Sequence, residues 1–216
     1  MKKLILESDI IKLIKDGKQE LAVNKDTIFT PSAIDKIKSA KIKIISSESA
    51  NNNTVSASPC SANGKIFRKI VIGSDHTGFK VKQSIIKLLQ DNGYEVIDIG
   101  TFSEESCDYP DFAFIAAAKV ITKEACAGIL IDATGIPSAI AANKFPGIRA
   151  ATCYNEFSAK SSREHNNANI LVLGALSLGL ETIKSITATW LNSEFLNGRH
   201  QKRLDKIIEV ERKLFK

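Results

Sequence analysis

Residues 69–78 read Lys-Ile-Val-Ile-Gly-Ser-Asp-His-Thr-Gly. Three consecutive apolar residues, two of them isoleucine, run into a glycine, then into short polar residues and a second glycine. Branched side chains favour extended backbone, and the glycines permit a sharp turn. This is the pattern of a strand that ends in a polar turn. From residue 79 to 90 the apolar residues return at helical spacing, with Val81, Ile85, Leu88 and Leu89 on the inner side. A strand at 95–99 follows.

The alternation continues to the end of the chain. Pro110 opens a second helix reaching Thr122. Residues 128–131, Gly-Ile-Leu-Ile, are almost continuously apolar, as expected for a parallel strand covered on both faces. Strands near 147–152 and 169–173 are each followed by a helix, at 155–164 and 180–192. A charged helix at 200–213 closes the chain. The fold class is α/β: a doubly wound, Rossmann-like parallel sheet of about five strands, with a small N-terminal extension. Such sheets hold ligands at the carboxyl ends of their strands. Asp75 and His76, Asp132 and Thr134, and Asn155 all leave strands on that edge.

Residues 46–65 are rich in Ser and Asn and short of large apolar residues. They cannot offset their ordering entropy by burial. The reading is a small docking or assembly segment at 1–45, a flexible linker at 46–66, and the main domain at 67–216. In the first segment, residues 7–15 form a helix with Ile10, Ile11 and Ile14 as its stripe. Residues 21–23 and 27–29 are short strands. Thr30-Pro31 caps a helix to about residue 41, and 42–45 is a strand.

The 216 residues are 44% hydrophobic, enough for a real core, and carry a net charge of +6. No apolar run is long enough to cross a bilayer, and the N-terminus lacks a secretory pattern, so a cytoplasmic protein is expected. No aromatic-basic module accompanies the positive charge, which instead suits a small anionic substrate. Cys60, Cys107, Cys126 and Cys153 have no metal-site or disulfide spacing. Cys126 and Cys153 read as small core residues, and Cys107 as a bystander beside Asp108.

The three histidines, His76, His165 and His200, each lie among charged and small polar residues. Residues 73–78 lack the dinucleotide fingerprint. Asp75 can orient His76 or accept sugar hydroxyls, or the two can simply cap the next helix. Residues 131–138 read Ile-Asp-Ala-Thr-Gly-Ile-Pro-Ser. The amides of Thr134 and Gly135 could cradle an oxyanion, with the Thr134 hydroxyl beside them. Asp132 ends an apolar strand and could serve as a general base, or it could hold its own loop by accepting backbone N–H groups. Arg163, His165 and Asn166 follow a helix; His165 could move protons between sugar oxygens, and beside Asn166, Asn167 and Asn169 it suggests a hydroxyl-binding rim. Arg199, His200 and Arg203 form a cationic cluster suited to phosphate. No carboxylate spacing supports a metal.

Five stretches carry a family resemblance: Ile-Gly-Ser-Asp-His-Thr-Gly-Phe-Lys at 72–80, Asp-Tyr-Pro-Asp at 108–111, Ala-Ala-Asn-Lys-Phe-Pro-Gly-Ile-Arg-Ala at 141–150, Ser-Arg-Glu-His-Asn-Asn-Ala-Asn at 162–169, and Gly-Arg-His-Gln-Lys-Arg-Leu-Asp at 198–205. Together they make residues 69–210 resemble the ribose-5-phosphate isomerase B and galactose-6-phosphate isomerase family. The resemblance implies a homodimer or tetramer with active sites shared between subunits. It implies sugar binding and ring opening by Asp75, His76 and His165. Tyr109, Asn166 and the Thr134–Gly135 loop would contact the sugar. Arg199, His200 and Arg203 would take the phosphate, from the neighbouring subunit.

One loop departs from the family pattern of Cys-Gly-Thr-Gly-x-Gly, whose cysteine is the base. Asp132 stands at the cysteine, Ala133 at a glycine and Pro137 at another. Ser138 stands where some relatives use a glutamate. The Asp-Ala pair resembles the A subunit of galactose-6-phosphate isomerase, which lacks the cysteine and works with a B subunit. Residues 25–44 resemble the N-terminal segment of some ethanolamine-utilisation proteins tied to bacterial microcompartments, implying a shell or enzyme partner there.

The expected function is aldose–ketose isomerisation of a sugar phosphate, first ribose 5-phosphate to ribulose 5-phosphate, through a cis-enediolate. His165, helped by Asp75, opens the ring, and Asp132 moves the proton between C1 and C2. No cofactor is needed, because the electrons stay in the substrate. The alternatives are a non-catalytic sugar-phosphate-binding subunit that completes the site of a cysteine-bearing paralogue, and an isomerase for another pentose or hexose phosphate such as galactose 6-phosphate.

Overall fold

The computed structural model describes residues 3–23, 27–46 and 67–214. The chain separates into two compact units, Met1–Ala57 and Ser58–Lys216. The linker expected at 46–66 lies outside the described residues except at Ser46, which ends a strand.

The first unit is built from β1 (Lys3–Ile5), α1 (Glu7–Lys15), β2 (Glu20–Val23), β3 (Thr27–Phe29), α2 (Pro31–Ser39) and β4 (Lys43–Ser46). Strand β1, three residues long, was not expected from the sequence. Thr30 caps α2 by accepting the Ala33 N–H at 3.2 Å. The unit is an internal repeat. Strand β1 pairs in parallel with β3, Lys3 against Thr27, and β2 pairs with β4, Glu20 against Lys43. Both helices end alike. Gly17 N–H donates to the Ile14 carbonyl and Lys18 N–H to that of Leu13, while Lys41 N–H donates to Lys38 and Ile42 N–H to Ile37. Gly17 and Lys41 both have positive φ, 70° and 52°. The core is Ile5, Ile10, Leu21, Ala33, Ile37 and Ile42.

In the second unit the strands are β5 (Lys69–Ser74), β6 (Glu95–Asp98), β7 (Ala127–Asp132), β8 (Ala150–Thr152) and β9 (Ile170–Gly174). They form one parallel sheet in the order β6-β5-β7-β9-β8. The helices are α3 (Phe79–Asp91), α4 (Tyr109–Ile121), α5 (Ile136–Ala142), α6 (Glu156–Glu164), α7 (Leu180–Leu191) and α8 (Arg199–Leu214). Ile85 and Leu89 of α3, Ala159 of α6 and Ile183, Ile186 and Trp190 of α7 pack with Ile129 and Ile131 on one face. Ala113, Ala116 and Ala117 of α4 and Ala139, Ala141 and Ala142 of α5 pack with Val71 and Leu130 on the other. Every residue of β7 is buried, which is why its sequence does not alternate.

The expected α/β sheet is therefore present with five parallel strands covered on both faces. Helix α5 is the addition. Gly135, at φ 80°, turns the chain into it, and a Cβ there would lie 2.8 Å from Thr152 Cγ2. Strand order reverses between β5 and β7, so the crevice such reversals create lies between the loop carrying Asp75 and the loop carrying Asp132. A Cβ on Gly78 would lie 2.5 Å from the Ile131 carbonyl oxygen, so the start of α3 lies directly on the end of β7.

The repeat in the first unit yields a prediction. Glycine already fills the left-handed position after α1, whereas Lys41 holds the same position after α2 with a Cβ. Lys41→Gly should stabilise the first unit by about 0.5–1 kcal/mol, read as slower amide hydrogen exchange in residues 3–46.

Candidate functional site

Asp132 ends β7 and is fully buried. Its Oδ1 accepts the N–H groups of Thr134 at 2.9 Å and Gly135 at 2.6 Å, and its Oδ2 accepts that of Ser138 at 3.0 Å. The carboxylate thus sits inside the amide cradle that the sequence suggested for an oxyanion. Of the two roles left open for Asp132, loop holding is directly visible in these bonds. The loop is tied outward as well. The Gly135 carbonyl accepts the Thr152 hydroxyl at 2.6 Å, and the Thr134 carbonyl accepts the Tyr154 hydroxyl at 3.0 Å. Thr134 itself is exposed.

Beside it, Asp75 N–H donates to the Ile131 carbonyl at 3.2 Å. The Asp75 Oδ1 accepts the Thr77 N–H, the Thr77 hydroxyl and the Gly78 N–H at 2.9, 2.6 and 3.1 Å. This leaves Oδ2 for a ligand. His76 Nδ1 accepts the Cys107 N–H at 3.3 Å. The Cys107 thiol lies against the Thr101 side chain and the His76 backbone, and burial raises its pKa above the ordinary thiol value. Tyr109 begins α4 just beyond Asp108. Asp75, His76, Tyr109, Asp132, Thr134 and Gly135 are therefore all at the carboxyl edge. Cys107, read as a bystander, is a neighbour of His76; the Cys-Asp-Tyr-Pro stretch at 107–110 was the signal for it.

The other group forms around the end of α6. His165 caps that helix, and its Nδ1 lies 3.1 Å from the Ser161 hydroxyl. His165 and His200 stack, with ring centroids 4.3 Å apart and planes 5° apart. His200 Nε2 accepts from Arg199 Nε at 3.4 Å. That bond leaves the proton of a neutral ring on Nδ1, which is buried and has no partner among the described residues. Arg199 and Arg203 are exposed on either side of it in sequence, as is Asn166 beside His165. The arrangement leaves a buried, unfilled N–H donor beside two exposed arginines, whose guanidinium groups suit an anion.

Arg163 supports this group without entering it. It is buried, donating Nη1 to Asn167 Oδ1 at 3.0 Å and to the Ala168 carbonyl, and Nε to Ser193. Its guanidinium lies over the rings of Phe67 and Trp190. Burial, then the nearby Arg149, pushes its pKa down to about 10. Arg149 Nε donates to the Asn167 carbonyl at 2.9 Å, so two arginines hold the turn that follows His165. Asn167, expected on a hydroxyl-binding rim, gives its Oδ1 to the buried Arg163.

These two groups do not meet within one chain. Helix α6 runs back across the sheet, so its C-terminal His165 lies toward the amino edge, ahead of β9. Asp132 is at the opposite end of β7, roughly 15–20 Å away for a strand of this length. For Asp75 to help His165, as the sequence reading has it, the two would therefore have to come from different subunits. Among the described residues there is no cluster of three His, Cys, Asp or Glu side chains that could hold a metal, and no helix is long and apolar enough to cross a membrane. Cys107 and Cys153 are free thiols; Cys60 lies outside the described residues.

Comparison with known proteins fits this architecture. A sequence profile described as Ribose/Galactose Isomerase matches residues 70–207. Ribose-5-phosphate isomerase B of Escherichia coli is 45% identical over 147 residues, covering 68% of this chain and 99% of its own. The structure of Clostridium thermocellum ribose-5-phosphate isomerase B is 52% identical, with a TM-score of 0.67, and covers 67% of this chain and 98% of its own. The Mycoplasma genitalium enzyme, solved with bound ribulose 5-phosphate, is 40% identical with a TM-score of 0.64, and covers 67% of this chain and 96% of its own. The second unit is a sugar-phosphate aldose–ketose isomerase. The chain belongs to the Ribose/Galactose Isomerase family.

The histidine pair gives a pH prediction. Burial first, then the neighbouring His165, Arg199 and Arg203, hold His200 below the ordinary imidazole value. As pH falls past about 6.5 the unfolded chain takes the proton before the folded one does. Stability is therefore complete above that point and declines as pH drops toward the folded value. The unfolding midpoint should fall between about pH 7 and pH 5, and His200→Asn should flatten that fall.

Proposed function

We propose that this chain interconverts ribose 5-phosphate and ribulose 5-phosphate through a cis-enediolate, in a homodimer whose sites combine the carboxyl edge of one subunit with the His165–His200 group of the other. The observation that carries the shared site is the placement of the two groups at opposite edges of one sheet. Exposed apolar side chains surround the Asp132 loop: Ile136, Ile140, Tyr154 and Leu176. Helix α8 carries its own exposed stripe of Ile207, Val210 and Leu214 beyond Arg203. Apolar surface of this kind supports association with a second copy. The sugar assignment rests on relatives over 40% identical that are named for ribose 5-phosphate.

In this reading Arg199 and Arg203, with His200 beside them, bind the phosphate. His165 of the same group moves the proton that opens the ring. Asp75, His76, Tyr109 and the partner group's Asn166 hold hydroxyls. Asp132 anchors its loop through three N–H groups. Its Oδ2, which accepts only one of them, has a lone pair left for the proton shuttled between C1 and C2, and because the side chain is fully buried that role requires the loop to move aside for substrate. The reaction consumes no electrons and calls for no cofactor. For residues 1–45 we retain a docking or assembly role, supported by a core of its own and a position outside the matched family region.

One observation favours the second reading, a subunit that completes a cysteine-bearing paralogue's site. The Thr134 and Gly135 amides, which an enediolate would use, already donate to Asp132. Assay of the purified chain alone on a panel of pentose and hexose phosphates, beside Asp132→Asn and Asp132→Cys, decides between them. Expected are turnover of ribose 5-phosphate by the native chain and a fall in kcat of about 10²–10⁴ in Asp132→Asn. A fall of about tenfold or less would assign Asp132 to the loop alone. An inert native chain with an active Cys variant would support the paralogue reading. Thermal unfolding of each variant separates lost chemistry from a lost anchor, since an amide at 132 turns an N–H toward the N–H of Ser138.

A further inference from the structure

Lys82 lies on α3 with its side chain fully buried, and no proposed chemical step uses it. Buried lysines are rare and need a partner. Its Nζ donates to Asp98 Oδ1 at the end of β6, and it lies 5.1 Å from the Phe102 ring centroid and 5.9 Å from that of Phe79. The same Asp98 oxygen accepts the Gly100 N–H at 3.0 Å. Gly100 in turn accepts the Ser74 N–H at 2.8 Å, and Thr101 N–H donates to the Ser74 carbonyl at 2.8 Å. The segment leaving β6 is thereby fastened at its root to the residue just before Asp75. Farther along, that segment returns to the same turn, where Cys107 N–H meets His76 Nδ1 at 3.3 Å.

A backbone N–H can only donate, so the ring nitrogen facing it must accept. The neutral His76 ring then carries its proton on Nε2. We propose that Lys82 and Asp98 are positioning residues for His76: by holding the 98–108 segment they keep the Cys107 amide on Nδ1, so that His76 presents Nε2–H to the substrate as a hydrogen-bond donor. The proposal rests on the isomerase reading for the identity of the substrate, but the ring state does not depend on it. A donor at this place suits a sugar oxygen that gains negative charge, and it makes His76 unsuited to removing a proton through Nε2. Asp75 cannot set this tautomer through its Oδ1, because that oxygen is occupied by Thr77 and Gly78.

The test is nitrogen NMR of the full chain labelled in its histidine rings, with His76 assigned by His76→Gln, run beside kinetics. The native protein should show His76 with a bare Nδ1 and a protonated Nε2. Lys82→Met keeps the length of the side chain and removes the charge. It should convert His76 to a mixture of tautomers and lower kcat/KM by on the order of 10²-fold, as small misplacements of site groups do. His165 and His200 should be unchanged. Asp98→Asn keeps an acceptor for Gly100 and should act in the same direction by less; it also carries the test should Lys82→Met not fold. A native His76 protonated on Nδ1 overturns the proposal, as does a folded variant whose His76 tautomer is unaltered. A tautomer change in a chain with no isomerase activity would uphold the positioning pair and sink the functional reading instead.

Discussion

A buried carboxylate that accepts three backbone N–H groups fixes the carboxyl edge of this sheet. Asp132 draws Thr134, Gly135 and Ser138 onto one point, and the left-handed turn at Gly135 is the backbone conformation that lets them converge. Helix α5 starts from that turn. Its alanines then close one face of the sheet. Leu176 and Ala175, after β9, donate N–H groups to Ala133 and Asp132, so the neighbouring strand end is set by the same loop. Bonds of a charged acceptor to backbone donors are among the stronger hydrogen bonds available to a protein. The position therefore does structural work whatever else it does, and a change there is felt in two elements at once.

The chemistry follows from a division of labour across the sheet. One edge supplies oxygen acceptors, a fixed imidazole and the Asp132 loop. The other supplies a stacked histidine pair and two arginines. Neither set alone can grip both ends of a sugar phosphate. Such a molecule bears its anionic group several bonds from its carbonyl, so a site must offer cationic donors at one end and proton-transfer groups at the other. In the proposed homodimer, a two-fold pairing of subunits would bring the two sets together twice.

Much of the fold was legible because β7 is continuously apolar and the intervening helices carry regular stripes. Helix α5 was not, since Ile136-Pro137-Ser138 reads as a loop and the element has only about two turns. Strand β1 is too short to show a period. The cationic cluster was visible in sequence, but the stacking of His165 on His200 was not, because the two lie 35 residues apart. Both roles of Asp132 could be written down from sequence; which donors reach it depends on backbone angles that residue types do not specify. Lys82 was not singled out in the sequence. It stands three before Ile85 and seven before Leu89, the spacing of the buried stripe, and that position was the available signal.

The doubling of the first unit has a consequence for how it forms. Neither half contains a strand pair of its own: β1 waits for β3, and β2 for β4, each across more than twenty residues. Helices α1 and α2 are nine residues each, too short to persist alone in water. The unit therefore cannot assemble stepwise from one half. Its folding is slowed by loop closure before any sheet contact is rewarded, and once formed it opens as a single cooperative block. On a ribosome, the first half would stay unpaired until the second had emerged.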